Sequence, residues 1–159
     1  MTLNKNIEML RAAAAQGDSE AQCYLGYYYD LGNGVVQSYR KAVNCYRKSA
    51  EQGNHYAQNR LGACYFYGDG VKQDYAQAIY WFTKAAEQGY SVAQTILGIY
   101  YYKGGVVEQD YEKAAYWLAK AAEQGHNKAQ KYLGSCYEEG KGVEQDSEKA
   151  AYWYAKAKK

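Results

Sequence analysis

The chain has 159 residues, enough for one domain of ordinary size with a continuous core, and it holds 16 glycines, 21 tyrosines and no proline. Its formal net charge is only +2, with lysines interspersed among acids. That leaves no concentrated basic field for nucleic acid or an anionic membrane surface, and no apolar stretch reaches the length of a membrane span.

Gly17, Gly53, Gly89 and Gly125 recur every 36 residues, and ten further columns keep that period without exception. They begin at Ala21, Gln22, Leu25, Gly26, Tyr29 and Gly32 and continue at Val35, Gln37, Ala42 and Lys48. Eleven invariant columns in four copies mean that one structural unit is repeated, at 17–52, 53–88, 89–124 and 125–159. The whole of 1–159 is expected to be a single repeat domain.

In chain order, Met1 to Glu8 lacks the basic-then-apolar order of a signal peptide. The expected location is therefore the cytoplasm, or the periplasm or exterior if a signal has been removed. Residues 4–16 align with the second half of a unit, Met9 at the later tryptophan column and Leu10 at the Tyr46 column, which predicts a capping half-repeat helix. Ala21, Leu25, Tyr28 and Tyr29 mark the buried face of a first helix over 19–31. Gly32 can end it in the left-handed conformation, and Asn33 to Gln37 turn the chain. Ser38, replaced by Asp74, Asp110 and Asp146 in later copies, supplies an oxygen to cap a second helix. That helix runs over 39–51 with Ala42, Cys45, Tyr46 and Ser49 inward, and Trp81, Trp117 and Trp153 replace Cys45 as larger anchors. Gly17 and its equivalents lead into the next unit.

Gly26, Gly62, Gly98 and Gly134 fall in mid-helix, where glycine costs about 1 kcal/mol against alanine. Their recurrence at a buried column predicts a neighbouring helix packed on bare backbone. The third loop, Gly104-Gly105-Val106-Val107, loses the second glycine of Gly32-x-Gly34, Gly68-x-Gly70 and Gly140-x-Gly142. A β-branched residue cannot cheaply copy a positive φ, so Gly105 is expected to take the unusual dihedral there. At the far end the Ala50, Ala86 and Ala122 column becomes Lys158, which suits a terminal helix with no successor. The expected total is nine helices and no strand. Cys23, Cys45, Cys64 and Cys136 form no CxxC pair and read as free thiols, Cys64 and Cys136 as core residues.

The pattern AEQG-x-x-x-AQ-x-x-LG-x-x-Y-x-x-G-x-G-V-x-QDY-x-KA-x-x-W-x-x-KAAEQG stands nearly complete at Ala50–Gly89 and Ala86–Gly125. It resembles the Sel-1-like repeat, a relative of the tetratricopeptide repeat. The resemblance implies an all-α, right-handed α/α superhelical solenoid of four helix-pair repeats, and a role as adaptor or scaffold in protein complexes, often bacterial. One branch, the cysteine-rich secreted proteins of Helicobacter, bridges the columns held here by Ala50 and Gln58. Neither column contains cysteine in any copy, so neither that disulfide pattern nor the penicillin-directed activity linked with the branch is expected.

No residues are found to carry catalysis. The G-x-G elements follow no strand and lack a third glycine at fingerprint spacing, so they read as turns. His55 and His126 occupy different repeat positions and form no metal-ligand cluster, and Glu138 and Glu139 read as solvated helix-end residues. No cofactor or metal is expected, and no enzyme activity. The informative columns are those that vary within the fixed framework. By resemblance to tetratricopeptide grooves, the concave side is lined by the columns of Glu20, Cys23, Tyr27, Asp30 and Leu31, themselves one helical stripe. The candidate contact residues are Tyr27 and Leu31, then Tyr56, Asn59, Ala63, Phe66 and Tyr67 in the second copy. The third copy adds Val92, Thr95, Ile99, Tyr102 and Lys103, and the fourth adds Lys131. An apolar centre with a charged rim suits a protein or peptide partner, not nucleic acid and not membrane insertion. An inhibitor or immunity protein outside the cytoplasm would use the same surface; a cell-wall-directed hydrolase has no residue in support.

Overall fold

In this computed structural model residues 3–157 are described, with side chains from Ile7 onward. They form nine helices and no strand: α1 Leu3–Ala15, α2 Ser19–Leu31, α3 Tyr39–Glu51, α4 His55–Tyr67 and α5 Tyr75–Glu87, followed by α6 Ser91–Lys103, α7 Tyr111–Glu123, α8 Asn127–Glu139 and α9 Ser147–Lys156. The predicted spans 19–31 and 39–51 coincide with α2 and α3. The fold class is all-α, tandem helix pairs preceded by a single helix. The Lys158 position lies outside the described residues. The chain divides into two compact units, one through Lys84 and one from Ala85, the division falling in the last turn of α5.

The punctuation works as the residue types predict. Asp74, Asp110 and Asp146 accept from the backbone N–H three residues on at 2.9–3.0 Å, and Ser38 accepts from Lys41 at 3.4 Å. First helices close on glycine at positive φ, with Gly32, Gly68 and Gly140 in the left-handed region. In the third loop Gly104 keeps a positive φ but an extended ψ of −164°, and Gly105 takes φ 90°. No residue other than glycine has positive φ among the described residues, so Val106 does not copy Gly34, Gly70 and Gly142. The reason for glycine at two of those positions is also steric. A Cβ on Gly70 would run into the Tyr39 carbonyl and one on Gly142 into that of Tyr111, because each loop lies on the first turn of the preceding second helix.

The mid-helix glycines serve close packing. A Cβ on Gly26 would fall 2.8 Å from the Tyr46 ring, and one on Gly62 would fall 2.9 Å from the ring of Phe82. In the second unit Gly98 faces Leu118 and Gly134 faces Tyr154. In every copy the partner is the second-helix residue twenty positions on. This column, not the tryptophan column, supplies the large fully buried side chains Tyr46, Phe82 and Leu118, while Trp81, Trp117 and Trp153 are half-buried.

The invariant glutamine joins successive copies. Gln22, Gln58, Gln94 and Gln130 donate from Nε2 to the carbonyls of Ala14, Ala50, Ala86 and Ala122 at 3.0–3.1 Å. Gln52 and Gln124 then donate to the Oε1 atoms of Gln22 and Gln94 at 2.8 and 2.9 Å. The columns that the cysteine-rich branch bridges covalently are thus joined here by a hydrogen bond. The core of the first unit centres on Val43, Tyr46, Ala57, Leu61 and Cys64, that of the second on Ala114, Leu118, Leu133 and Cys136.

Candidate protein-binding surface

In the first unit α2 and α4 carry the expected stripe. Leu31 and Tyr67 are exposed, Tyr67 at 69%, and Tyr27 is more than a third exposed. Phe66 is half-buried, edge-on to Tyr67 at 5.0 Å and tilted against Tyr75 at 5.2 Å, so Tyr67 stands on an ordered aromatic base. Tyr56 and Ala63 are half-buried. Asn59 departs from expectation: it is only 8% exposed. Cys23, in the same column, is likewise buried, joining the core of Val43 and Tyr46.

Asp30 also lies inside, at 9% exposure, where it accepts from the Tyr46 hydroxyl at 3.1 Å and pairs with Arg60. The Arg60 guanidinium sits 5.8 Å from the Tyr46 ring centroid. Burial pulls the Arg60 pKa down, but the Asp30 hydrogen bond and the Tyr46 contact outweigh it, so the group is held more firmly charged. Burial also pushes the Tyr46 hydroxyl well above the usual phenol range.

An open cleft of about 470 Å³ lies in the same unit. Glu20, Cys23, Tyr24 and Tyr27 line it from α2, and Asn54, His55 and Tyr56 from the start of α4. Tyr24 and His55 belong to no column of the predicted stripe. The missed signal was available: Glu20, Tyr24, Tyr27 and Leu31 form a second helical stripe, and the Tyr24 column also varies, through Arg60, Ile96 and Tyr132.

In the second unit α6 and α8 carry less of the predicted surface. Thr95 and Ile99 are 3% and 9% exposed, so neither adds to the exposed surface of the stripe. Ile99 packs in the core with Leu118 and Leu133, and the Thr95 hydroxyl donates back to the Ser91 carbonyl at 2.8 Å. Val92 and Tyr102 are half-buried, while Lys103 and Lys131 are exposed. Tyr102 is committed within the unit. Its hydroxyl donates to Glu139 at 2.8 Å, and its ring meets those of Tyr111 and Tyr132 edge-on at 5.6 and 5.4 Å. Lys141 pairs with Glu139 at 2.6 Å and lies 5.2 Å from the ring centroids of both Tyr102 and Tyr111. Burial, followed by the Glu139 hydrogen bond, pushes the Tyr102 hydroxyl up to about 12. Glu138 likewise accepts from Tyr154 at 2.7 Å, so the paired acids are exposed but engaged.

The remaining groups offer little chemistry. All four cysteines are free thiols, and burial pushes Cys23 and Cys136 to about 11 and Cys64 to about 12, so at neutral pH they stay protonated and unreactive. His126 is half-buried, and burial and then Lys128 lower its pKa. Among the described residues no group of three His, Cys, Asp or Glu is placed to hold a metal, and no helix is long and apolar enough to cross a membrane.

The family model described as Sel1 repeat matches residues 19–54, 55–90, 91–126 and 127–159. No curated protein matches the chain. Among solved structures, a protective antigen present in uropathogenic Escherichia coli strains, described as displaying an SLR fold, is 41% identical with a TM-score of 0.91; the match covers 96% of this chain and 32% of that one. A Sel1 repeat protein from Oxalobacter formigenes is 39% identical with a TM-score of 0.90, covering 96% and 44%. The chain therefore spans less than half the length of these two relatives. The immunity protein Pa5087 from Pseudomonas aeruginosa, at 22% identity and a TM-score of 0.54 over 95% of this chain and 72% of that one, shares the fold. With the repeat pattern, the helix pairs and the family match in agreement over nearly its whole length, the chain belongs to the Sel1 repeat family.

Proposed function

We propose that this chain is a non-enzymatic adaptor that binds a protein or peptide through the variable face of its first helices. Proteins built of Sel1 repeats generally serve as interaction scaffolds. The observation that carries the reading here is the exposed apolar set Tyr27, Leu31 and Tyr67, mounted on helices whose framework positions are fixed by the repeat. Partly ordered aromatics of this kind, already held by neighbours as Tyr67 is by Phe66, bind with little conformational cost. The reading calls for no cofactor, metal or nucleic acid.

The test is capture of partners by the tagged chain from its source cell, followed by calorimetry. Leu31→Ala with Tyr67→Ala should weaken the captured partner by about 2 kcal/mol, near thirtyfold, with helicity unchanged. Tyr102 is unsuited to this purpose because its removal also deletes a hydrogen bond to Glu139 and a ring contact of Lys141. A folded double variant that binds like the parent would place the site elsewhere.

A further inference from the structure

The cleft beside α2 has a composition that selects for charge. Tyr24, Tyr27 and Tyr56 contribute three phenol rings, and Glu20 is an exposed carboxylate at its edge. Neither Cys23 nor Asn54, which also line it, adds a charge. The Cys23 thiol is protonated at neutral pH, because burial raises it to about 11, and the Asn54 oxygen is used in capping α4 through the Ala57 N–H at 2.9 Å. Arg60, whose field reaches Cys23, is neutralised by its pairing with Asp30. Electron-rich ring faces and a carboxylate favour a cation and disfavour an anion.

We propose that this cleft seats a basic side chain, lysine or arginine, of a protein partner. The three tyrosines contact the aliphatic stem and the charged head, and Glu20 balances the charge. A volume of about 470 Å³ exceeds one side chain and leaves room for the flanking backbone, which suits a peptide segment. The inference rests on the adaptor reading and gives that partner a chemistry.

The test uses the full ¹⁵N-labelled chain and four pentapeptides, acetylated and amidated at their ends. The central residue is lysine, arginine, norleucine or glutamate, and glycines fill the other positions. The lysine and arginine peptides should shift the amides of residues 20–27 and 54–56 saturably, binding at least about fivefold more tightly than the norleucine peptide. Glu20→Gln, a change at an exposed position, should remove most of that preference while leaving the rest of the spectrum in place. Tyr27→Ala should weaken the basic peptides further. Equal binding of norleucine, preference for glutamate, shifts centred on other residues, or no saturable shift with any peptide would each overturn the proposal. These probes need no natural partner. Their failure therefore leaves the adaptor reading to the Leu31 and Tyr67 variants, whose failure would in turn leave the peptide result standing.

Discussion

A methyl group added at Gly98 sets helix propensity against packing. In an open helix, Gly→Ala would stabilise α6 by about 1 kcal/mol. Here the new Cβ would stand 2.6 Å from Cγ of Leu118, 2.9 Å from its Cδ2 and 3.2 Å from its backbone N. Carbon atoms prefer about 3.5–4.0 Å, so the overlap approaches 1 Å. Cγ is a branch point close to the backbone, and Leu118 is 0% exposed, so no rotation of a free end relieves it. The overlap belongs in the upper part of the roughly 1–3 kcal/mol range for overpacking. Set against the propensity gain, Gly98→Ala should destabilise by about 1–2 kcal/mol, read as a lower urea midpoint at unchanged slope. Gly134→Ala is the internal control. Its nearest contact is 2.7 Å, but to Cε1 of the half-buried Tyr154, a ring farther from the backbone than Cγ of Leu118 and held at its tip by Glu138, so its net cost should be smaller, within about 1 kcal/mol. Leu118→Ala alone should cost about 2–5 kcal/mol, and the double variant should cost less than the sum by about 1–2 kcal/mol, because the added methyl then meets space instead of Cγ. A raised midpoint for Gly98→Ala, or strict additivity in the double variant, would refute the close-packing account.

Three further expectations follow from described contacts. Asp30→Ala removes the acceptor of both Arg60 and the Tyr46 hydroxyl and should cost about 2 kcal/mol, discounted because the Arg60 side chain is 33% exposed; Asp30→Leu with Arg60→Met should recover most of it in urea unfolding. The Asp110 and Asp146 carboxyls are held below the ordinary 3.8, chiefly by the backbone N–H groups of Lys113 and Lys149. Their depressed folded pKa means that the stabilisation is present above 3.8 and lost as pH falls through the lower value; Asn at both positions, which accepts without titrating, should flatten the acid limb of thermal melts below about pH 4. Gly105→Ala meets open space and should carry only the left-handed backbone cost of about 1–2 kcal/mol, whereas Gly142→Ala also collides with the Tyr111 carbonyl and should cost clearly more by the same urea assay.

The period-36 reading reached everything that repeats within one unit. Helix ends at Gly32, caps at Asp110, the mid-helix contact at Gly62 and the odd loop at Gly105 are each set by a few neighbouring residues, and local chemistry makes them readable. The candidate surface was read less well because a helical stripe has edges. The Cys23, Asn59 and Thr95 column borders the exposed face, and the packing of second helices, not the spacing, turns it inward. Lys131, in the same column of the fourth copy, is exposed. Asp30 heads a column of the stripe, yet it is buried against an arginine thirty residues away. Side chains meeting at that offset share no column, so comparing copies does not reveal them. The contacts of Tyr102 are hidden for the same reason: its partners Glu139 and Lys141 belong to the next copy.

The glutamine clasp bears on how such a chain can change length. Each clasp joins an invariant side chain to a backbone carbonyl eight residues earlier, and a carbonyl is indifferent to which residue carries it. The clasp itself can therefore form between any two copies, and no oxidant is needed to seal it. Duplication or loss of 36 residues in the gene leaves every such joint intact, whereas the Asp30–Arg60 pair ties one particular copy to its successor. The clasp makes the array modular, and the ion pair marks the one described junction in the first unit where swapping copies would leave a charge stranded.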